Sequence, residues 1–166
     1  MAKQKAVARD YIGKRGEAIA TSDLLNFCGN PEPYFDPHFL GEKCPTYDFL
    51  VELLGAGSSP PYFLAQVKAT RLGYTKGTLD LKVAIKASDV QKMIRCPIPT
   101  YLIGVDEPAA KSYIVSIHGK LTGRISSIPS AYPLDCKNLK ILWDEVVARW
   151  KTFGMTAGSK TSAFVI

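Results

Sequence analysis

The chain carries Tyr47-Asp48-Phe49-Leu50-Val51-Glu52-Leu53-Leu54, then Gly55-Ala56-Gly57-Ser58-Ser59-Pro60-Pro61, then Tyr62-Phe63-Leu64-Ala65-Gln66-Val67-Lys68-Ala69-Thr70. Two runs of β-branched and aromatic residues flank a Gly/Ser/Pro turn, which predicts an antiparallel hairpin. Side chains alternate between faces along a strand. Asp48, Leu50 and Glu52 therefore share one face, and Phe49, Val51 and Leu53 the other. On the second strand Gln66 and Lys68 share a face, opposite the wholly apolar Ala65, Val67 and Ala69, which should be core. Closing the hairpin brings an acid on one strand towards an amide and a lysine on its partner.

Working outward, Tyr11 to Phe27 reads as a helix with an imperfect apolar face of Ile12, Ile19 and Leu24 with Ala8, Ala18 and Leu25. Gly13 and Gly16 weaken its start, and Cys28-Gly29-Asn30-Pro31 stops it. Pro31 to Pro45 reads as a loop with a short strand near Phe35 to Leu40. Leu79 to Ile85 reads as a further strand, and Ala87 to Ile94 as a helix capped by Ser88 or Asp89. Tyr101 to Val105 is a continuous apolar run, as expected of a central strand, and Ser112 to His118 alternates like the next one. In Asn138 to Phe153, Leu139, Leu142, Trp143, Val146, Val147 and Trp150 recur at helical spacing. The order is helix, strand cluster, helix, two strands, helix. That is an α/β fold with a mixed central sheet flanked by helices.

At 166 residues the chain suits one domain with a core about 11–118 and a last helix about 138–153. A 46% apolar share excludes a disordered or fibrous chain. The longest charge-free stretch, Leu53 to Val67, is broken by Gly, Ser and two prolines, so no membrane span is expected. The basic N-terminus has no apolar run behind it, which places the protein in the cytoplasm. Cys28, Cys44, Cys96 and Cys136 form no Cys-x-x-Cys pair, so they read as small buried hydrophobes rather than zinc ligands or a disulfide framework. Neither His38 nor His118 has a serine or cysteine at a spacing that proposes a hydrolytic triad. With 21 Lys+Arg against 15 Asp+Glu the net charge is +6, which allows a polyanionic partner.

An acid, an amide oxygen and a lysine suit phosphodiester hydrolysis. Carboxylate and carbonyl oxygens match Mg²⁺ or Mn²⁺, which polarise a phosphate and activate water. An adjacent lysine neutralises developing charge or orients the water. Glu17 supplies a further oxygen if the first helix packs across the sheet. The bland reading of Asp48, Gln66 and Lys68 is solvated or filler polar groups on a sheet face. For Glu17 it is pairing with Lys14. Glu52, about 13 Å along the strand from Asp48 at ~3.3 Å per residue, ranks second.

At these residues the chain resembles the PD-(D/E)XK nuclease superfamily. The family pattern is an acid on one strand and, after a turn, Glu/Asp/Gln-x-Lys on the next. Here it reads Asp48, then Gln66-Val67-Lys68, with Lys14-Arg15-Gly16-Glu17 as the upstream helix glutamate. Further matches run through Asp48 to Glu52, Gln66 to Thr70 and Pro99 to Asp106, over roughly residues 11 to 118. Within the superfamily the chain is most similar to small bacterial proteins known only as a domain of unknown function. Pro45 lies three positions before Asp48, so there is no literal Pro-Asp, and Gln66 stands where Glu is commoner.

The resemblance implies a restriction-endonuclease-like α-β-β-β-α-β core and a Mg²⁺- or Mn²⁺-dependent nuclease, acting on DNA more than RNA, in defence or repair. Asp48 and Gln66 would hold the metal, Glu17 would assist, and Lys68 would act on the water or scissile phosphate. Lys14, Arg15, Arg71 and Lys76 would contact nucleic acid. Lys120 and Arg124 read first as ordinary solvated charges. The alternative is an inactive nuclease-fold module that binds nucleic acid or a partner protein. A homodimer is compatible with either.

Overall fold

The computed structural model describes residues 2–41, 44–57, 59–119 and 123–156. Helix α1 (Ala2–Leu24) is followed by strands β1 (Phe35–Phe39), β2 (Phe49–Leu53) and β3 (Tyr62–Thr70). Then come helix α2 (Ala87–Arg95), strands β4 (Thr100–Asp106) and β5 (Lys111–Ser116), and helix α3 (Cys136–Thr156). The five strands form one mixed sheet in the order β1-β2-β3-β4-β5. β2 pairs antiparallel with β1 and with β3, so the predicted hairpin is present, with Phe49 opposite Ala65 and Glu52 opposite Tyr62. β4 runs parallel to β3, which requires a long crossover, and α2 lies in it. β5 returns antiparallel to β4. The run α1-β1-β2-β3-α2-β4 is the expected α-β-β-β-α-β core.

Both faces of the sheet are covered. Phe49, Val51, Leu53, Phe63, Ala65, Ile103 and Val105 form one core with Ala20 and Leu24 of α1 and Leu139, Leu142 and Val146 of α3. On the other face Leu102 and Tyr113 pack under Leu81, Val83, Ile85, Ile128 and the α2 residues Val90 and Met93. β4 is buried along its whole length, which is why its sequence is an unbroken apolar run.

Four expectations change. α1 starts well before Tyr11, and its buried stripe is Gly16, Ala20 and Leu24, while Ala18 and Leu25 face solvent. Small residues let the helix lie close on the sheet, and a search for large apolar residues passes over them. Leu79 to Ile85 joins no strand of the sheet. It crosses the back of the sheet, bridged to a second segment through Leu81–Ile128 and Ile85–Ile125, and its alternation reflects Leu81, Val83 and Ile85 pointing onto β4. α2 has Lys86 at its N-cap without a side-chain bond, so neither Ser88 nor Asp89 caps it. Finally, Cys28 and Cys136 are disulfide-bonded, with Cα atoms 5.3 Å apart. The fold, not the spacing, brings the segment after α1 against the start of α3. Cys44 and Cys96 are free and half-buried. Among the described residues no helix is long and apolar enough to cross a membrane.

Candidate active site

The site forms where the hairpin ladder ends. β2 registers with β3 only from Tyr62 to Ala65, so the edge of β3 from Gln66 to Thr70 has no β2 partner. Asp48, just before β2, closes the ladder differently. Its backbone N–H donates to the Ala65 carbonyl at 2.9 Å, and its own carbonyl accepts from Leu40 N–H at 2.9 Å. Its side-chain Oδ2 accepts from Val67 N–H at 2.6 Å. The carboxylate thus takes the place of a strand carbonyl and is held at the open edge.

α1 reaches the same edge because of Gly16. A Cβ at that position would overlap the Cβ of Ala69 on β3. The helix therefore lies against the strand there, and the next residue, Glu17, enters a cleft with Asp48 and Lys68. The cleft has a volume of about 510 Å³. Gly13 and Ile12 of α1 and Val67 to Thr70 of β3 complete its walls, and Arg9, Arg71 and Leu72 stand at its rim.

The electrostatics follow from this crowding. Burial, and then the neighbouring Asp48 charge, raise the Glu17 pKa above its ordinary value, while Lys68 and Lys14 pull it back. Burial also raises Asp48, against the Val67 N–H bond and Lys68. Two carboxylates that are costly to ionise in one cleft make a place where added positive charge is favourable.

Glu17, Asp48 and Lys68 are thus brought together as the strand alternation and the helix match required. Gln66 is placed differently. It is not part of the cleft wall but 3% exposed, inside the sheet beside the open edge. Its Oε1 has no hydrogen-bond partner among the described residues. A buried acceptor is normally satisfied, and an orphaned amide oxygen is what an oxygen-ligated cation would complete. The donors present, Glu17 and Asp48 carboxylates with the Gln66 amide oxygen, fit Mg²⁺ or Mn²⁺. Among the described residues there is no cluster of three or more His, Cys, Asp and Glu side chains that could hold a metal ion.

The expected nucleic-acid contacts divide. Lys14 and Lys76 are exposed, Lys76 in the turn after β3. Arg15 and Arg71 both pair with Glu107, at 3.0 and 2.7 Å. Glu52 lies at the far end of β2, half-buried and 3.7 Å from His38. Lys120 lies outside the described residues. The sequence did not place Arg9 at the cleft or Glu107 against Arg15 and Arg71, and it offered Gly16 only as part of the Lys14 to Glu17 match. Their roles come from α1 crossing the sheet, and only Gly16, adjacent to Glu17, carries a local sign of it.

No family model matches the chain, and no curated protein is similar to it. Among solved structures the chain is similar to a nuclease from a fusselovirus, with 15% identity and a TM-score of 0.44, over 90% of this chain and 96% of that one. The functional reading rests on the residues of the cleft and not on that alignment.

Proposed function

We propose that the protein is a divalent-metal-dependent nuclease that hydrolyses phosphodiester bonds, in DNA more than RNA, at the cleft of Glu17, Asp48 and Lys68. The observation that supports this most is the convergence of Glu17 and Asp48 with Lys68 at the unpaired edge of β3. Glu17, Asp48 and the Gln66 amide would hold the metal. When bound, Mg²⁺ or Mn²⁺ would supply charge neutralisation on the phosphate and acidify water. The remaining chemistry falls to the side chains. Lys68 stands beside both acids and offsets negative charge developing on the phosphate. Arg9 and Arg71 at the rim hold the strand.

The test is strand cleavage of single-stranded, duplex and branched DNA and of RNA, with Mg²⁺, Mn²⁺ or chelator. Wild type should cleave at least one substrate only with metal, and Lys68→Ala should lose roughly 10²-fold or more. Metal-independent cleavage, or full activity in Lys68→Ala, refutes the assignment. A second reading, a nuclease fold that binds nucleic acid without cutting it, draws on Gln66. An amide in that place leaves only two acids for the metal. Binding without cleavage under every metal would select it.

A further inference from the structure

Glu107 follows β4 and is buried, with its side chain 4% exposed. One oxygen takes Arg15 of α1 and the other takes Arg71, just beyond β3, at 3.0 and 2.7 Å. Both arginines engage it through Nε. Each guanidinium is left with its two terminal nitrogens, for which no hydrogen bond exists among the described residues, and both side chains are 61% exposed. The backbone fixes the carboxylate as well, since Glu107 N–H donates to the Thr70 carbonyl at 3.0 Å. A single buried acid thus aims two forks outward, with one net positive charge, and one fork is at the rim of the cleft.

Stability asks for less than this arrangement. A buried acid needs a cationic partner, but one arginine meets that need, and the second leaves a positive charge without a partner. Fixed guanidinium planes with free donor edges are, however, the geometry that holds a phosphate in two-pronged fashion. Arg15 lies two residues before Glu17, and Arg71 three after Lys68. A phosphate seated on the pair would belong to the same strand as the one in the cleft.

We propose that Arg15 and Arg71 form a seat for a non-scissile phosphate of the bound strand, and that Glu107 is its positioning residue. The proposal rests on the nuclease reading for its ligand, a nucleic-acid strand. It is tested by binding alone. A fluorescein-labelled single-stranded DNA oligonucleotide is titrated by anisotropy in chelator, where no cleavage occurs, across a salt series.

Arg15→Lys and Arg71→Lys keep the charge but lose the fork, and each should weaken binding by roughly tenfold. Replacing both arginines together, Arg15→Ala with Arg71→Ala, should also reduce the salt slope by about 0.7, the value for one single-strand phosphate contact. Glu107→Gln is the sharper variant. Coulomb's law alone predicts tighter binding, because a negative charge is removed near a polyanion. A positioning role predicts weaker binding, because both forks lose their anchor. Should Glu107→Gln fail to fold, the two lysine variants at exposed positions still decide the matter. Tighter or unchanged binding in Glu107→Gln, wild-type binding in both lysine variants, or no binding by wild type would overturn the seat. Tight, fork-dependent binding by a protein that never cleaves would refute the nuclease reading and leave the seat standing. Cleavage with unchanged affinity in the arginine variants would do the reverse.

Discussion

Asp48 shows how one side chain ends a ladder and starts a site. Its carboxylate receives the Val67 N–H that a neighbouring strand would otherwise take. Burial raises both Asp48 and Glu17 above their ordinary values of 3.8 and 4.5. A carboxyl with a raised folded pKa keeps a proton that the unfolded chain has released. The folded state then binds more protons, so stability falls as pH rises through the window above those ordinary values, and the deficit persists at neutral pH. The neutral isosteres Asp48→Asn and Glu17→Gln should therefore raise the melting temperature at pH 7 in metal-free buffer and make little difference at pH 3. The amide introduced by Asp48→Asn retains an acceptor for the Val67 N–H, so its result reports charge. A lower melting temperature at pH 7 would show that these acids are not crowded. Asp48, Lys68 and Glu17 were readable from the sequence because a strand's alternation and a short motif are local. Glu107 was not, since its role exists only once Arg15 and Arg71 arrive from two other elements.

At the scale of elements the site depends on how closely α1 approaches β3. Gly16 and Gly13 are both helix glycines, and each costs helix stability relative to alanine. Their surroundings differ. A Cβ at Gly13 meets nothing within 4 Å, whereas one at Gly16 runs into Ala69. Gly13→Ala should stabilise by up to about 1 kcal/mol. Gly16→Ala should cost about 1–3 kcal/mol by overpacking, partly offset by helix propensity, and should lower cleavage by moving Glu17 off the edge. Thermal melts and cleavage rates of the two variants check this, and equal behaviour would mean that the contact does not set the site. The same close packing explains what the periodicity misread. It read Gly16 as a weakness in the helix, although it is the contact point. It read Leu81, Val83 and Ile85 as a sheet strand, although they alternate because they lie on the back of β4. Alternation reports a buried face, not which strand supplies the hydrogen bonds. The hairpin, β4 and α3 were readable because their patterns are long and one element decides each.

For the whole molecule, the Cys28–Cys136 bond joins residues separated by 108 positions and ties the exit of α1 to the start of α3. Spacing alone gave no sign of it, because the pair meets only after the sheet and both helices are assembled. A loop of that size should make the bond worth about 2–5 kcal/mol. Reduction with dithiothreitol, or Cys28→Ser with Cys136→Ser, should lower the melting temperature by several degrees, and an unchanged melt would show that the link is not formed. The account as a whole depends on the open edge of β3 being a divalent-cation site, and calorimetric titration of Mn²⁺ into three proteins tests that most directly. Wild type should bind, and Asp48→Ala should abolish binding. Gln66→Glu should bind more tightly, because it replaces an orphaned amide oxygen with a carboxylate in the same buried place. Equal binding by all three, or none by wild type and Gln66→Glu, would contradict the site.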